Sequence, residues 1–413
     1  MNTLRIQEYV RFILKNKWFL MFGFIMAFTS SFGQTFFIGL FTPSIEATFE
    51  LNHSQWGSIF MAGTLFSAAA LTFTGSQIDR MPLRRYSLLV CGCLAAACLL
   101  TAVVPTALFL IPAIFLLRHA GQGLATHTAL AGMIKNFRED RGKAVAIATL
   151  GFPAGRAALP IFTVMAIAAF GWRETYASCG IIILLLIFPI IATLLKNHPS
   201  TAPVHALNKS TIPSTHVNFR VEPTLRQVLH TPHIYLLVPG LLAPSFFDTA
   251  LSFHLLPIAT LKSWPAEWVT TGYAIYGATS VIGSVWIGTI IDKHGSVQFL
   301  PYSLVPYIGG LLVLAFLRDP AWAWLYLGLF GLGSGIRVTL IPVVLSELYG
   351  TRHIGAIRSF IATIGVFASA IGPPILGLGL DLQASIETMG TIAIIYFVLA
   401  ILLTMHANRR QSL

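Results

Sequence analysis

The sequence predicts an all-α membrane protein with twelve transmembrane helices arranged as two pseudo-symmetric six-helix bundles. Three observations predict this fold. The chain is 55% hydrophobic and only 10% charged, with a mean hydropathy of +0.76, whereas about 25% of the residues in an ordinary soluble domain are charged. Apolar stretches of membrane-spanning length recur along the whole chain. The two halves of the chain also share a repeated pattern of residues.

Twelve apolar stretches are long enough to cross a bilayer, for which about 20 residues suffice. They lie at residues 18–44, 54–78, 86–104, 107–134, 143–169, 174–195, 232–260, 268–291, 297–316, 321–346, 355–378 and 387–406. A long polar stretch separates the first six from the last six. We therefore expect an N-terminal six-helix bundle at 1–196, a cytoplasmic linker at 197–230 and a C-terminal six-helix bundle at 231–413.

The basic residues predict the orientation in the membrane. Of the 26 Lys and Arg residues, 20 lie at the two ends of the chain or in the gaps that follow even-numbered spans. Only Arg173, Lys262 and Arg318 lie in the opposite gaps. Because loops rich in Lys and Arg stay in the cytoplasm, we expect a multi-pass protein of the inner or plasma membrane with both termini cytoplasmic. This rule also accounts for the net charge of +11 without a nucleic-acid partner.

An internal repeat with an offset of about 213 residues relates the two halves. SFGQTFFIGLFTPSI in span 1 aligns with SFFDTALSFHLLPIA in span 7, which places Gln34 opposite Asp248. The ends of spans 2 and 8 pair Gly75 with Gly288, Asp79 with Asp292 and Arg80 with Lys293. Two halves that run in the same orientation indicate parallel repeats related by an axis along the membrane normal.

The segment after span 2 carries a candidate gate. Gly75 has no side chain, so a neighbouring helix could approach closely there, and Asp79 at a helix end could pair with a basic residue or cap another helix. The gating residues that we predict are Gly75, Asp79, Arg80, Arg84, Asp292 and Lys293. In the alternative interpretation, the basic residues only enforce the topology.

GSQIDRMPLRR resembles the cytoplasmic signature that follows the second helix of the major facilitator superfamily. Gly75, Asp79, Arg80 and Arg84 match that signature, while Pro82 stands where the family usually has glycine. RHAGQG resembles the arginine motif in the family's fourth helix. The resemblance covers nearly the whole chain and implies a secondary transporter with the fold of that family. The monocarboxylate-transporter and oxalate–formate-exchanger branch is a plausible neighbourhood, although span 8 lacks the arginine expected there.

Three arginines lie deep inside predicted spans: Arg118, Arg156 and Arg337. Arg118 lies about 16 Å into span 4, near the middle of the bilayer, where an arginine costs on the order of 3 kcal/mol. We therefore expect the three to share a polar cavity for an anion, because guanidinium groups match carboxylate, sulfonate and phosphate. Gln122, one α-helical turn after Arg118, and Gln34 are expected to line the same site.

Asp248 is the one acidic residue predicted to lie as deep in the membrane as the arginines. Burial raises the pKa of a carboxyl group and a nearby arginine lowers it, so an anion on the arginines could favour protonation of Asp248. We expect Asp248 to couple transport to protons. A permanent salt bridge between Asp248 and an arginine is the alternative.

The sequence therefore predicts a secondary active transporter that moves a small or medium organic anion by alternating access, with protons as the coupling ion. A drug or metabolite efflux antiporter and a nontransporting membrane sensor are the alternatives. No nucleophile motif or ligand spacing typical of a metal site is present, so we expect neither an enzyme nor a bound cofactor. The expected partners of the transporter are the anionic substrate and membrane lipids, and we expect the protein to be a monomer.

Overall fold

The computed structural model describes residues 3–137, 140–196 and 222–411, and its regular elements are all helical. Eleven helices in this described part are long and apolar enough to cross a membrane, and a shorter apolar helix spans Tyr302–Phe316. The predicted twelve-helix all-α architecture is thereby confirmed. Most of the predicted linker, residues 197–221, lies outside the described residues.

The first half of the chain forms eleven α-helices. They are α1 (Thr3–Thr29), α2 (Thr35–Ile38), α3 (Thr42–Phe49), α4 (His53–Thr74), α5 (Leu83–Ala102), α6 (Leu110–Leu117), α7 (Thr126–Asn136), α8 (Arg141–Thr149), α9 (Gly151–Phe170), α10 (Trp172–Ile182) and α11 (Phe188–Leu194). Short 3₁₀ and π-helical segments join several of them, so one membrane span often consists of two or three consecutive elements.

The second half has longer uninterrupted helices. They are α12 (Leu225–Leu229), α13 (Pro232–Phe253), α14 (Leu255–Leu261), α15 (Ala266–His294), α16 (Val305–Phe316), α17 (Trp322–Tyr349), α18 (Ile354–Asp381) and α19 (Ile386–Gln411). Interior prolines occur in α13, α17 and α18. A proline removes one backbone hydrogen bond and bends a helix.

The contacts divide the chain into two units. Unit 1 contains Met1–Ile38 and Ala62–Leu207, and unit 2 contains Gly39–Met61 and Asn208–Leu413. The segment Gly39–Met61, which the sequence assigns to the first bundle, thus packs with the helices of the second half. This packing brings α3 and the start of α4 against α13, α14 and α18.

Small residues set the closest helix contacts in both units. In unit 1, a β-carbon at Gly151 would overlap the carbonyl oxygen of Phe24, so α9 lies directly against α1. In unit 2, a β-carbon at Gly335 would overlap the backbone of Ser280, which holds α17 against α15. Close approach through small residues is the usual way to pack helices in lipid.

Candidate functional site

The first membrane helix is broken inside the membrane. After α1 ends at Thr29, Ser30–Gly33 forms a 3₁₀ turn, and Gln34 is extended with φ −82° and ψ 153°. The N–H of Phe37, which would bond to Gly33 in a continuous helix, instead donates to the Gln34 carbonyl at 3.1 Å. The Gly33 carbonyl therefore needs another donor, because lipid offers none.

Arg118 supplies that donor. Its Nη1 lies 3.2 Å from the Gly33 carbonyl oxygen and 3.2 Å from Thr35 Oγ1, and the residue is only 2% exposed. Arg118 therefore faces protein rather than lipid, as the cost of a guanidinium in hydrocarbon requires. Both of these acceptors are neutral oxygen atoms.

The helix that carries Arg118 differs from the predicted one. Arg118–Ala125 is a π-helix, a form rare in proteins and frequent at functional sites. Hydrogen bonds in a π-helix close one residue later than in an α-helix, so a residue four positions on still lies close to one full turn away. Gln122 is half-buried, and its place on the face of Arg118 stays a prediction.

Two glycines bring this π-helix against the break. A β-carbon on Gly121 would lie 2.6 Å from Gly33 Cα and 2.7 Å from Gly33 N. Real carbon atoms pack at about 3.5–4.0 Å, so only glycine at position 121 allows this separation. The contact fixes the distance between the two backbones and thereby holds Arg118 within reach of the Gly33 carbonyl.

Arg156 approaches the same segment from α9. Its guanidinium carbon lies 5.2 Å from the centre of the Phe36 ring, a distance typical of a cation–π contact. The side chain is half-buried, as is that of Gln34. Unit 1 therefore brings two of the three predicted arginines to residues 33–36, with Gln34 in the same stretch.

Arg337 lies in unit 2 and is 8% exposed. It donates from Nη1 to Ser303 Oγ at 3.2 Å and from Nη2 to the Leu241 carbonyl at 3.0 Å. Asp248 follows Leu241 by seven residues in α13, about 10 Å along the helix axis. Asp248 is half-buried and accepts from the Tyr276 hydroxyl, with oxygen–oxygen distances of 3.2 and 3.3 Å. Within unit 2, Arg337 and Asp248 thus make these hydrogen bonds to different groups.

The predicted gate at the end of α4 is held by a residue that the sequence analysis missed. Lys135, in the last turn of α7, places Nζ 2.5 Å from Asp79 Oδ1 and 3.1 Å from the Ile78 carbonyl. Arg80 is exposed, and Arg84 donates from Nε to the Ala192 carbonyl at 3.3 Å. The basic partner of Asp79 is therefore on another helix and not among its neighbours in sequence.

The close helix approach predicted at Gly75 is wrong for this structure. A β-carbon there would meet, among the described residues, only Leu71 Cδ1 at 3.9 Å, which is an ordinary contact within the same span. The repeat counterpart Gly288 is equally open, with Thr339 Cγ2 at 4.0 Å. The glycines that bring helices together are instead those inside the membrane, such as Gly121.

In the second repeat, the loop after α15 is held by an acidic residue, whereas Lys135 holds the corresponding loop of the first repeat. Asp292 and Lys293 are exposed. Glu347, near the end of α17, accepts from the backbone N–H of Ser296, with distances of 3.0 and 3.3 Å to its two oxygens. Lys135 and Glu347 both lie near the end of a helix, about one repeat offset apart. A basic or acidic residue in such a last turn was the only sequence signal for these contacts.

Residues 23–373 match the model of the Major Facilitator Superfamily. The chain belongs to this family. The transporter is 26% identical over 394 residues to an uncharacterized MFS-type transporter, YcxA, of Bacillus subtilis (strain 168), with 92% of each chain covered. It is 30% identical to a probable plastidic glucose transporter 1 of Arabidopsis thaliana over 105 residues, which are 25% of this chain and 20% of the relative.

A solved structure shares the fold. The crystal structure of a bacterial homolog to the human lysosomal transporter Spinster superposes with a TM-score of 0.69 at 14% sequence identity, covering 95% of this chain and 97% of the other. The multi-pass, helical transporter fold expected from the sequence is therefore confirmed. The monocarboxylate-transporter and oxalate–formate-exchanger branch stays a prediction.

Proposed function

We propose that this transporter carries a small or medium organic anion by alternating access, with protons as the coupling ion. One observation supports this proposal most strongly. In unit 1, the half-buried Arg156 and the buried Arg118 both contact the broken segment at residues 33–36. Two guanidinium groups that contact the same four-residue segment favour a negatively charged ligand.

The electrostatics follow from the contacts. Arg118 bonds to the neutral oxygens of Gly33 and Thr35, and Arg156 lies against the neutral ring of Phe36. These contacts orient the two guanidinium groups towards the same segment. A planar guanidinium binds a carboxylate through two parallel hydrogen bonds, so an organic anion would match this pair of side chains.

The structure suggests different roles for the predicted binding residues. Arg156 is half-buried and is the leading candidate to bind the anion directly, with Gln34 and Gln122 as half-buried neutral hydrogen-bonding groups. Arg118, with its guanidinium committed to the helix break, would hold the segment in place and add positive potential. Arg337, buried against Leu241 and Ser303, would do the same in unit 2.

Asp248 is the proposed proton-coupling residue. It is a half-buried carboxylate inside α13 that accepts a hydrogen bond from the Tyr276 hydroxyl. A hydroxyl donor can pair with either protonation state, because it can also accept a hydrogen bond from a protonated carboxyl group. This arrangement would allow Asp248 to take up and release a proton without losing its neighbour.

Substrate counterflow in proteoliposomes tests the proposal. The purified transporter would be loaded with one unlabelled organic acid at a time, from mono- to tricarboxylates and sulfonates, and exchange of the labelled acid would be measured with and without an imposed proton gradient. We expect counterflow of at least one anion and accumulation when the outside is acidic. Exchange of organic cations alone would favour the efflux antiporter, and a complete absence of counterflow would favour the nontransporting sensor.

A further inference from the structure

A second polar cluster lies in unit 2. Glu46 belongs to α3, His53 begins α4, and His254 joins α13 to α14. Each of the three offers one ligand-type atom, and these atoms all lie within 4.8 Å of one another. In the topology predicted from the basic residues, these three helix ends lie on the side of the membrane opposite the termini.

His254 has one ring nitrogen bonded to the backbone and one available for a ligand. Its Nε2 lies 2.9 Å from the Pro373 carbonyl oxygen. Because a carbonyl can only accept a hydrogen bond, Nε2 must carry the proton, and the neutral ring then has its lone pair on Nδ1. That Nδ1 is buried without a hydrogen-bond partner among the described residues, and the residue is 0% exposed. Histidines that bind metals usually donate the other ring N–H to a carbonyl or carboxylate in this way.

Glu46 and His53 supply the other two ligands. Glu46 Oε1 lies 2.9 Å from His53 Nδ1, and Glu46 is 9% exposed. The rings of His53 and His254 are perpendicular, with their centres 5.8 Å apart. One carboxylate and two imidazoles thus converge on one small volume that is largely closed to solvent.

The backbone around this cluster is fixed. Asp381, at the end of α18, accepts from the N–H groups of His53 and Ser54 at 2.9 Å each, which anchors the start of α4. A β-carbon on Gly377 would lie 2.6 Å from the carbonyl carbon of His53, so α18 packs directly against the same turn. Only side-chain rotation is then needed to bring the ligands together.

We propose that Glu46, His53 and His254 form a binding site for a divalent transition metal, with Zn²⁺ as the best match. Two imidazoles, one carboxylate and an open fourth position are a common ligand set for zinc. Bonds of about 2.0–2.1 Å in a tetrahedron place ligand atoms about 3.3 Å apart. The widest present separation, at most 4.8 Å, must therefore contract by no more than about 1.5 Å, and the 2.9 Å between Glu46 and His53 must widen by about 0.4 Å. The bound metal would hold α3 and the start of α4 against the end of α13.

Titration of the purified full-length chain with Zn²⁺ alone tests the binding. We expect one Zn²⁺ per chain by isothermal titration calorimetry, with affinity rising between pH 6 and pH 8 because the imidazoles must be neutral. His254→Gln should abolish this binding. Glu46→Gln, which keeps the shape of the side chain and its hydrogen bond to His53, should weaken it at least tenfold. His406→Gln, an exposed histidine on α19, serves as the control and should bind as the wild type does.

The proposal is overturned if the wild type binds no Zn²⁺, or if the His254 and Glu46 variants bind it as tightly as the wild type. X-ray absorption at the zinc edge of the wild-type protein provides a check that needs no variant, and a coordination shell with fewer than two imidazoles would also overturn it. The effect on transport rests on the proposed function, whereas these binding measurements need no transport substrate. Failure of one proposal is therefore distinguishable from failure of the other.

Discussion

Gly121→Ala tests the packing that holds Arg118 in place. The added methyl group would lie 2.6 Å from Gly33 Cα and 2.7 Å from Gly33 N, about 1 Å closer than carbon atoms normally pack. Both neighbouring atoms belong to the backbone, so no side chain can rotate away. The two helices must therefore separate by roughly 1 Å.

The expected loss of stability combines two costs and one gain. Overpacking against backbone costs about 3 kcal/mol, at the upper end of its usual range, and the greater helix propensity of alanine returns about 1 kcal/mol. Separation by 1 Å would also stretch the 3.2 Å hydrogen bond from Arg118 to Gly33 beyond the useful limit, which costs up to about 2 kcal/mol more. We expect a net loss of about 2–4 kcal/mol, or about 4–8 °C at 2 °C per kcal/mol.

Thermal unfolding in detergent, followed with a thiol-reactive dye, measures this change, because Cys91, Cys98 and Cys179 are buried and become reactive on unfolding. The matched control is Gly92→Ala, at a position in α5 where a β-carbon would meet nothing within 4 Å. That variant should be as stable as the wild type or gain up to about 1 kcal/mol. Equal unfolding temperatures for the two variants would refute the packing argument.

Two further predictions concern coupling and gating. Asp248→Asn should retain substrate counterflow but lose accumulation driven by a proton gradient, whereas Asp319→Asn, in a loop, should retain both; normal accumulation in Asp248→Asn would exclude coupling at this residue. Lys135→Ala removes the 2.5 Å ion pair with Asp79. The Lys135 side chain is 37% exposed and that of Asp79 is 66% exposed, so we expect the variant to lose less than about 1 kcal/mol of stability. Initial uptake should nevertheless fall several-fold if the pair gates transport, while Lys143→Ala, which breaks a similarly exposed pair, should leave uptake unchanged. Equal uptake by the two lysine variants would leave the pair with a topological role only.

The number of spans and the burial of Arg118 could be predicted because both follow from the bilayer. Hydrocarbon thickness fixes the length of a span, and the cost of a charge in lipid requires that a deep arginine face protein or water. The 2% exposure of Arg118 agrees with that reasoning. Both predictions hold whichever helices pack against each other.

The break at Gln34 and the π-helix at Arg118–Ala125 could not be predicted in the same way. Reading a sequence for helical faces assumes a constant number of residues per turn, and that assumption fails where Gly33 and Gly121 bring two backbones together.

Pairings between distant helix ends also depend on tertiary structure. Lys135 lies 56 residues after Asp79 in the chain, and its charge alone marked it only as a determinant of topology. The lone pair on His254 Nδ1 follows from a hydrogen bond to Pro373, which no sequence pattern contains. The candidate metal site was therefore visible only once α13 and α18 were placed side by side.

Anion affinity as a function of the charge at position 156 is the most direct test of the central claim. An anion found by counterflow would be titrated against the wild type, Arg156→Lys, Arg156→Ala and the control Arg318→Ala, whose native side chain is 88% exposed. The account predicts a loss of at least tenfold for alanine at 156, a smaller loss for lysine, and no change for Arg318→Ala. Wild-type affinity in Arg156→Ala would contradict it.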